Sequence, residues 1–448
     1  MVILHYFLGF PPYRSGGLTT YSVDLMWAQK KKGDKVIALW PGNMKLFSKK
    51  IQIVRRKNID NIINYELINP LPIPLDEGIK DISAYTEAGE SYVYSEFLTQ
   101  IRPDIIHIHT LMGLHKEFID VAKKMNIKII FTSHDYFGIC PKVTLYKNGD
   151  VCKNDNGCRD CVNCNQTALS LNKIKIMQSS MYRKIKSTYF VSAIRKLHRQ
   201  KFFEEEKKEQ LFIDKNLIEE KARAYRRLRK FYIKILQNID VIHFNSSLTK
   251  NVYEQYFKLP KNKVLSISHK NIKDNRNVNT WNYQKKVRLT CLAPAKPFKG
   301  YNVLIDSLDK LWKHGNHNFS LKMFNNVPDK RPYMTVQEEG FVYSDLKKIM
   351  EETDILIAPS VSYETFGFTV LEALSFGVPV IVSNHVGAKD IVKDAGIIVE
   401  AGDVSGLCEA ILSLNEKKLN QLRKNVKHSV DIISWKQFIG ECYKLYNI

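Results

Sequence analysis

The stretch from Pro359 to Asn384 constrains this chain more than any other. It reads Pro-Ser-Val-Ser-Tyr-Glu-Thr-Phe-Gly-Phe-Thr-Val-Leu-Glu-Ala-Leu-Ser-Phe-Gly-Val-Pro-Val-Ile-Val-Ser-Asn. An apolar run, Ile355 to Ala358, precedes it, and a second, Val378 to Val382, lies near its end. Short continuous apolar runs of this kind mark strands buried on both faces of a parallel sheet. Between them Phe368 to Phe376 has helical spacing, and Gly377 and Pro379 stop the helix. The spacing predicts a strand–loop–helix–strand unit. In such units a ligand sits at the carboxyl ends of the strands, where the amino terminus of the helix points.

Glu364 and Glu372 are eight residues apart. Two helical residues at that separation lie about 12 Å apart at 1.5 Å per residue. That is too far for the carboxylate pair of a retaining glycosidase, which needs roughly 5 Å. Glu364 is expected in the loop before the helix and Glu372 inside it. Separated carboxylates flanking a helix amino terminus suit an elongated ligand with hydroxyls at its ends and phosphate in the middle. The free N–H groups near Gly367, Phe368 and Thr369 would face that phosphate, and Gly367 removes a side chain that would block the approach. The bland alternative is a solvated carboxylate on an ordinary amphipathic helix.

The whole string, Pro-Ser, then Glu, seven residues, Glu, then Gly-x-Pro-Val, resembles glycosyltransferase family 4 (glycosyl transferases group 1), of the type that builds bacterial surface polysaccharides. The resemblance implies an α/β chain of GT-B fold: two Rossmann-like, doubly wound parallel-sheet domains facing across a cleft. It implies sugar transfer from a nucleotide-sugar, a UDP- or GDP-sugar, with retention at the anomeric carbon. Glu372 would bind the ribose and Glu364 the donor sugar hydroxyls, with Phe366, Gly367, Phe368 and Thr369 at the donor site. Family members carry Gly-Arg-x-x-x-x-Lys-Gly to hold the diphosphate. Here Lys299-Gly300 matches, Pro294 stands in the place of the Arg, and Lys296 is the nearest substitute, a point charge without the bidentate fork. The family's Asn-Gly-x-Asp is absent, and Ser268-His269-Lys270-Asn271 occupies that region. The chain contains no Asp-x-Asp, so no divalent metal clamp is expected and no cofactor is required for catalysis. Charge on the leaving group then falls to Lys299, Lys296 and helix N–H groups.

The first half reads as a second α/β domain. Val2 to Phe10 is a strand, Leu18 to Lys32 a helix and Asp34 to Trp40 a strand. The Gly16-Gly17 pair lets backbone N–H groups approach a phosphate or sugar, and the resemblance makes Gly17 a donor-site residue. It is neither a Gly-x-Gly-x-x-Gly fingerprint nor a P-loop. Ile105 to His109 and Ile127 to Thr132 are strands, with a helix from Gly113 to Met125 between them. The last strand ends at His134-Asp135. A lone histidine is more often a core residue than a ligand. The resemblance places a histidine at this strand end and assigns His134 to catalysis, with Asp135 expected to orient its ring through Nδ1. The likeness points to front-face attack, the leaving phosphate taking the acceptor proton, without a covalent intermediate.

Five of the eight cysteines, Cys140, Cys152, Cys158, Cys161 and Cys164, fall within 25 residues. In a reducing compartment such clustering suggests zinc rather than disulfides. Cys152, Cys158, Cys161 and Cys164 are the candidate ligands of a closed structural zinc site. Reduced loop cysteines are an equal alternative. From Lys173 to Lys234 the chain carries 19 Lys/Arg against 7 Asp/Glu, a balance of 19 − 7 = +12 out of a total of +22, with no Pro or Gly. Apolar residues recur among the bases: Met177, Met181, Ile185, Phe190, Phe203 and Leu217 among others. This is a basic amphipathic helical insertion, suited to a solvated face or to an anionic membrane surface.

The second half repeats the alternation, with strands at Val287 to Leu292, Phe319 to Phe324, Gly340 to Tyr343 and Gly396 to Val399, and a helical tail. The expected domains are residues 1–272, with the cysteine-rich loop 140–164 and the basic insertion 165–236, and residues 283–434 for the nucleotide-sugar. A helix at 435–448 is expected to cross back to the first domain. A net charge of +22 favours an anionic partner. The acceptor expected from the resemblance is a glycan or a polyprenyl-diphosphate-linked precursor. Met1 to Phe10 lacks a basic leader region and no run of eighteen apolar residues exists, so the expected location is cytoplasmic and peripheral to the membrane. Two other readings compete. The Pro294 substitution suits an inactive partner subunit. The basic segment suits nucleic-acid binding, but that reading leaves the Glu364–Glu372 string unexplained, so no nucleic acid is expected.

Overall fold

The computed structural model describes residues 1–74, 77–186, 188, 215–276 and 286–447. Expectations for Phe190 and Phe203, and for the end of the linker beyond Arg276, lie outside the described residues. Ten strands belong to the first half: β1 (Val2–Tyr6), β2 (Lys35–Pro41), β3 (Gln52–Ile59), β4 (Ile62–Ile68), β5 (Ile105–Ile108), β6 (Lys128–Ser133), β7 (Tyr146–Lys147), β8 (Asp150–Val151), β9 (Val241–Phe244) and β10 (Asn262–Val264). Eight of them form one sheet in the order β10-β9-β6-β5-β1-β2-β4-β3, while β7 and β8 make a small separate hairpin. Six follow in the second half: β11 (Val287–Cys291), β12 (Phe319–Phe324), β13 (Met334–Gln337), β14 (Ile355–Ala358), β15 (Val380–Ser383) and β16 (Gly396–Val399). They form a second sheet in the order β13-β12-β11-β14-β15-β16, parallel throughout.

The central strands are buried along most of their length because helices cover both faces. β5, β14 and the four residues of β15 are buried at every position. The polar β3, Gln-Ile-Val-Arg-Arg-Lys-Asn-Ile, pairs antiparallel with β4 at the edge of the first sheet. Its exposed bases discourage further strand pairing.

Two helices depart from the simple alternation. Lys215–Gln237 buries Ala222, Tyr225, Leu228, Tyr232, Ile235 and Leu236, a stripe at helical spacing. Tyr225 and Tyr232 donate hydrogen bonds to the carbonyls of Ile79 and Tyr85, at 2.6 and 2.8 Å. This part of the basic segment is therefore packed into the first domain and is not a free arm, because Tyr225, Leu228, Tyr232 and Leu236 face the core while Arg223, Arg227 and Lys230 face out. The helix Trp435–Asn447 lies on the first sheet. Phe438 stacks edge-on against Tyr21, the Tyr446 hydroxyl meets Gln29 and His107, and Lys128 donates to the Tyr446 carbonyl. Gly340 to Tyr343 is not a strand. The strand is Met334–Gln337, and Gly340, in the left-handed region, turns the chain away.

Candidate functional site

The loop that leaves β14 is built into its neighbours by backbone bonds. Val361 and Ser362 donate to the Phe298 carbonyl at 3.1 and 3.0 Å, Glu364 donates to His385 at 2.9 Å, and Gly387 donates back to Glu364 at 3.0 Å. Three loops at the carboxyl ends of the second sheet, 297–300, 359–367 and 384–388, are thus tied to one another. Gly300 is required for this. It has a φ of 80°, and a Cβ there would lie 1.9 Å from the Pro359 carbonyl oxygen.

This scaffold brings Lys299 and Glu364 together, with Nζ 3.0 Å from Oε1 and the side chains 27% and 20% exposed. Lys296 and Lys299 lie on the Phe298 ring at 5.0 and 6.0 Å. Gly367 is the left-handed cap of the helix Phe368–Ser375, and Glu372 projects from inside that helix. The first N–H groups of a helix have no partner from the i−4 carbonyl within it. Glu372 Oε1 lies 3.3 Å from His269 Nε2, close enough for an ion pair but not aligned as a hydrogen bond, since both His269 nitrogens lack hydrogen-bond partners. His269 is buried and edge-on to Phe368 and Tyr343. Phe366 is buried in the core under the loop, so its side chain packs rather than lining the cleft, while Thr369 is half-buried.

The first domain supplies the opposite wall. Gly17 begins the helix Gly17–Lys31, and a Cβ at this position would sit 3.5 Å from the Phe368 ring. His134 follows β6 and is partly exposed. Its carbonyl accepts a hydrogen bond from the Thr365 hydroxyl at 3.2 Å, and its ring lies 4.6 Å from that of Tyr21. Asn245 Nδ2 stands 3.4 Å from His134 Nδ1, and His134 Nε2 is covered without a partner. The amide can only donate, so the neutral ring carries its proton on Nε2. Burial, with a smaller push from His243, lowers the His134 pKa to about 3. The expected partner, Asp135, does not orient this ring. Its carboxylate accepts from the Phe137 N–H at 2.9 Å and the Thr110 hydroxyl at 3.3 Å. Burial raises it to about 6, those two bonds opposing the shift.

A latch joins the two walls beside His134. Ser246 and Thr249 hydroxyls donate to the Thr365 carbonyl at 2.8 and 3.0 Å, and Ser247 donates from its hydroxyl and its N–H to Asp390. Gly387 permits the approach, since a Cβ there would meet Ser246 Oγ and the Thr365 carbonyl, each at 2.5 Å. Beneath His134 lies a row of buried histidines. His5 bridges Gln29 and His109, at 2.7 and 3.0 Å, and His107 bridges Tyr446 and Thr132. Thr132 meets His243, which reaches the Leu265 carbonyl. Burial lowers the proton affinity of every member.

Of the expected zinc ligands, Cys158 and Cys161 come together with Asp155, their ligand atoms all within 4.8 Å of one another. Cys152 and Cys164 lie outside that group. His269, Asn245 and Tyr21 had no role in the sequence reading. The position of Ser268-His269-Lys270-Asn271 in place of a missing motif was the only signal available for His269.

Residues 286–417 match the family model described as glycosyl transferases group 1. An O-antigen chain mannosyltransferase B of Escherichia coli is 33% identical over 108 residues, 24% of each chain. A UDP-Gal:alpha-D-GlcNAc-diphosphoundecaprenol alpha-1,3-galactosyltransferase of the same organism is 31% identical over 90 residues, 19% of this chain and 23% of that one. The matches span 24% to 60% of the length of the first curated relatives. Among solved structures, that of the Anabaena protein HepE in complex with UDP and glucose superposes with a TM-score of 0.53 at 12% identity, covering 100% of both chains. At that identity the likeness speaks for the fold alone. The chain has the GT-B fold, two Rossmann-like sheets facing across a cleft, and its second domain carries the match to glycosyl transferases group 1.

Proposed function

We propose that this protein is a retaining, metal-independent glycosyltransferase that moves a hexose from a UDP- or GDP-sugar to a lipid-linked precursor of a surface polysaccharide. The observation that carries the reading is the Lys299–Glu364 pair at the carboxyl ends of β11 and β14, beside the amino terminus of a helix that holds Glu372. On this reading the helix N–H groups and Lys299 take the diphosphate, with Lys296 next to it. Glu364 accepts from the donor sugar hydroxyls, Glu372 from the ribose, and Gly17 leaves room for the diphosphate-sugar. His134, neutral with its proton on Nε2, donates toward the transferred sugar or the leaving phosphate. Attack occurs on the face from which the nucleotide leaves, and the leaving phosphate oxygen takes the acceptor proton. The names of the two Escherichia coli relatives support a surface-glycan acceptor, and the UDP-Gal in the second name supports a UDP-sugar donor.

Membrane docking is part of the proposal and rests on a surface of the first domain. Phe47 is fully exposed and Leu46 is 53% exposed, flanked by Lys45, Lys49 and Lys50. Ile176 and Met181 stand out from the short helices Leu171–Met177 and Ser180–Ile185, at 51% and 71%, among Lys173, Lys175 and Lys184. Met44 and Asn43 bond Gln178 and Ser180, so loop and helices form one face. Next to it a cavity of about 140 Å³ is lined by Met44, Lys45, Lys49, Leu71, His115 and Lys175. Apolar side chains inside a ring of bases suit shallow insertion into an anionic leaflet, each base adding about 1 kcal/mol. Among the described residues no helix is long and apolar enough to cross a membrane.

Pro294, in place of the expected Arg, favours a second reading: a catalytically silent GT-B subunit. One assay separates the two. Purified protein is given a panel of UDP- and GDP-sugars with a polyprenyl-diphosphate-sugar acceptor in anionic vesicles. Sugar transfer that Glu364→Ala slows by about tenfold or more supports the enzyme. Nucleotide-sugar binding without transfer or donor hydrolysis, over the whole panel, supports the silent subunit.

A further inference from the structure

We propose that Asp155, Cys158 and Cys161 form a zinc site that clamps the cysteine-rich loop to the helix Lys215–Gln237. The proposal is independent of the glycosyltransferase reading. The ligand atoms of the three residues already lie within 4.8 Å of one another. Ligands of a tetrahedral zinc, with sulfurs at about 2.3 Å from the ion, stand roughly 3.8 Å apart, so closing the site asks for a contraction of at most about 1 Å. The spacing Asp-x-x-Cys-x-x-Cys would not gather these atoms on a straight strand. It does so because Asn156, Gly157 and Cys158 are all in the left-handed region, which coils the loop before the helix Arg159–Cys164. The Asp155 carboxylate accepts from the Cys158 N–H at 3.0 Å, which fixes its orientation.

Charge decides for a cation here. Two thiolates and a carboxylate around a divalent zinc leave one negative charge. Arg229, from the helix Lys215–Gln237, supplies the balancing positive charge. Its guanidinium pairs with Asp155, its Nη2 lies 3.5 Å from Cys161 Sγ, and its Nε donates to the Ile139 carbonyl at 2.8 Å. Both Arg229 and Asp155 are 16% exposed. An outer-sphere donor to a ligating sulfur and carboxylate is what orients and stabilises such ligands. Three protein ligands leave one position of a tetrahedral zinc to be filled from outside this group. Thiolates with one carboxylate select zinc over the hard cations calcium and magnesium.

The clamp has a reach beyond its own loop. Between Cys140 and Cys152 the chain forms the β7–β8 hairpin, whose Tyr146 ring lies 6.1 Å from that of Phe298. Phe298 is the residue on which Lys296 and Lys299 rest. An ordered hairpin therefore braces the loop of the proposed diphosphate site from the first domain.

The test measures metal directly. Full-length protein purified with a phosphine reductant is analysed for zinc, and the metal is exchanged for cobalt to read the thiolate-to-metal charge-transfer band. One zinc per chain and an intense tetrahedral cobalt spectrum are expected. Cys158→Ser and Cys161→Ser should each lose the metal, Asp155→Asn should weaken it, and Cys152→Ser, Cys164→Ser and Cys291→Ser should retain it. Stripping zinc from the wild type with a chelator should lower Tm, and added zinc should restore it, a readout that does not need any variant to fold. The proposal is overturned if the reduced wild type takes up neither metal. It is equally overturned if the Cys158→Ser/Cys161→Ser double variant keeps its zinc, or if Cys152→Ser and Cys164→Ser lose it. Mass spectrometry without reductant that finds a Cys158–Cys161 disulfide in place of metal also overturns it.

Discussion

Acidification should unfold the first domain before most of its carboxylates are titrated, because of the histidine row under the cleft. His5, His107, His109, His134 and His243 are held neutral in the folded chain, His5 and His243 down to about 4 and His134 to about 3, each by burial. Their ordinary value is 6.5, so the unfolded chain takes up protons that the folded chain refuses. Stability from these groups is complete above that value and is lost as pH falls toward the folded values. At about pH 5.5, a unit below that value, each contributes a loss of about 1 kcal/mol, so five contribute roughly 5–7 kcal/mol. Asp135 acts with the opposite sign. Its carboxyl is raised from 3.8 to about 6, the folded state takes its proton first, and this returns about 1 kcal/mol at the same pH. The net loss is of the size of the whole stability of an ordinary domain, about 5–15 kcal/mol. Calorimetric scans from about pH 7.5 to about pH 5.5, in buffers of different ionisation enthalpy, read both the fall in Tm and the protons taken up on unfolding. Uptake of about four protons is expected, since the Asp135 proton given up on unfolding offsets part of what the five rings take up. A Tm that does not fall over this range, or an uptake below two, would refute the assignment of these rings as neutral and buried.

Four further outcomes follow from the site. Glu372→Ala should raise the KM for the nucleotide-sugar about tenfold or more, and Glu364→Ala should lower kcat by about 10- to 100-fold, the worth of one hydrogen bond to a charged group; steady-state kinetics separates the two, and wild-type values for both variants refute the site. Lys299→Met should cost more in kcat/KM than Lys296→Met, because Lys299 is paired to Glu364, and equal losses would count against that ordering. Gly300→Ala should destabilise the chain by at least about 1–3 kcal/mol through strain at a positive φ, visible as a lower denaturant midpoint. Wild-type protein should sediment with anionic but not neutral vesicles at low salt, and Phe47→Ser with Met181→Ser should weaken it; equal recovery in the supernatant with both lipids would reject the docking face.

The second domain was legible because its strands are short apolar runs and its loops carry Gly and Pro. Ile355 to Ala358, Phe319 to Phe324 and Gly396 to Val399 fall where the pattern puts them. Strand β13 was misplaced because Met-Thr-Val-Gln has only half the apolar content, while the neighbouring Gly-Phe-Val-Tyr reads as a better strand. The region between Pro41 and Ile101 was silent for a related reason. β3 is an edge strand and carries charge on successive residues, which erases the period of two. The basic segment misled in part, since composition cannot tell a solvated helix from one whose tyrosines reach backbone carbonyls 146 residues away in sequence. The Glu364 end of the site could be read from local spacing. Its other wall could not: His269, Asn245 and the Ser246–Thr365 latch exist only through contacts more than 100 residues apart.

Two ion pairs in the second domain look alike by distance and differ in what they can do. Arg288 and Asp354 meet at 2.7 Å, and Asp354 is fully buried, accepting also from the Arg288 N–H. Removing one partner of such a pair strands a charge in the core and costs about 3–5 kcal/mol, so this pair fixes β11 against the turn that feeds β14. Lys299 and Glu364 meet at 3.0 Å, but both are a fifth to a quarter exposed. A pair in that setting is worth roughly 0–1 kcal/mol. It holds both side chains in the cleft while offering little resistance to exchange. On the proposed reading a diphosphate gives Lys299 an anion of higher charge, and Glu364 is released toward the donor sugar hydroxyls at the same moment. The weakness of the bridge is then what couples arrival of the diphosphate to positioning of the sugar. The same reasoning explains why Pro294 need not silence the site. A guanidinium there would compete for Glu364 as well as for phosphate, and a single lysine that must choose between them makes the exchange complete.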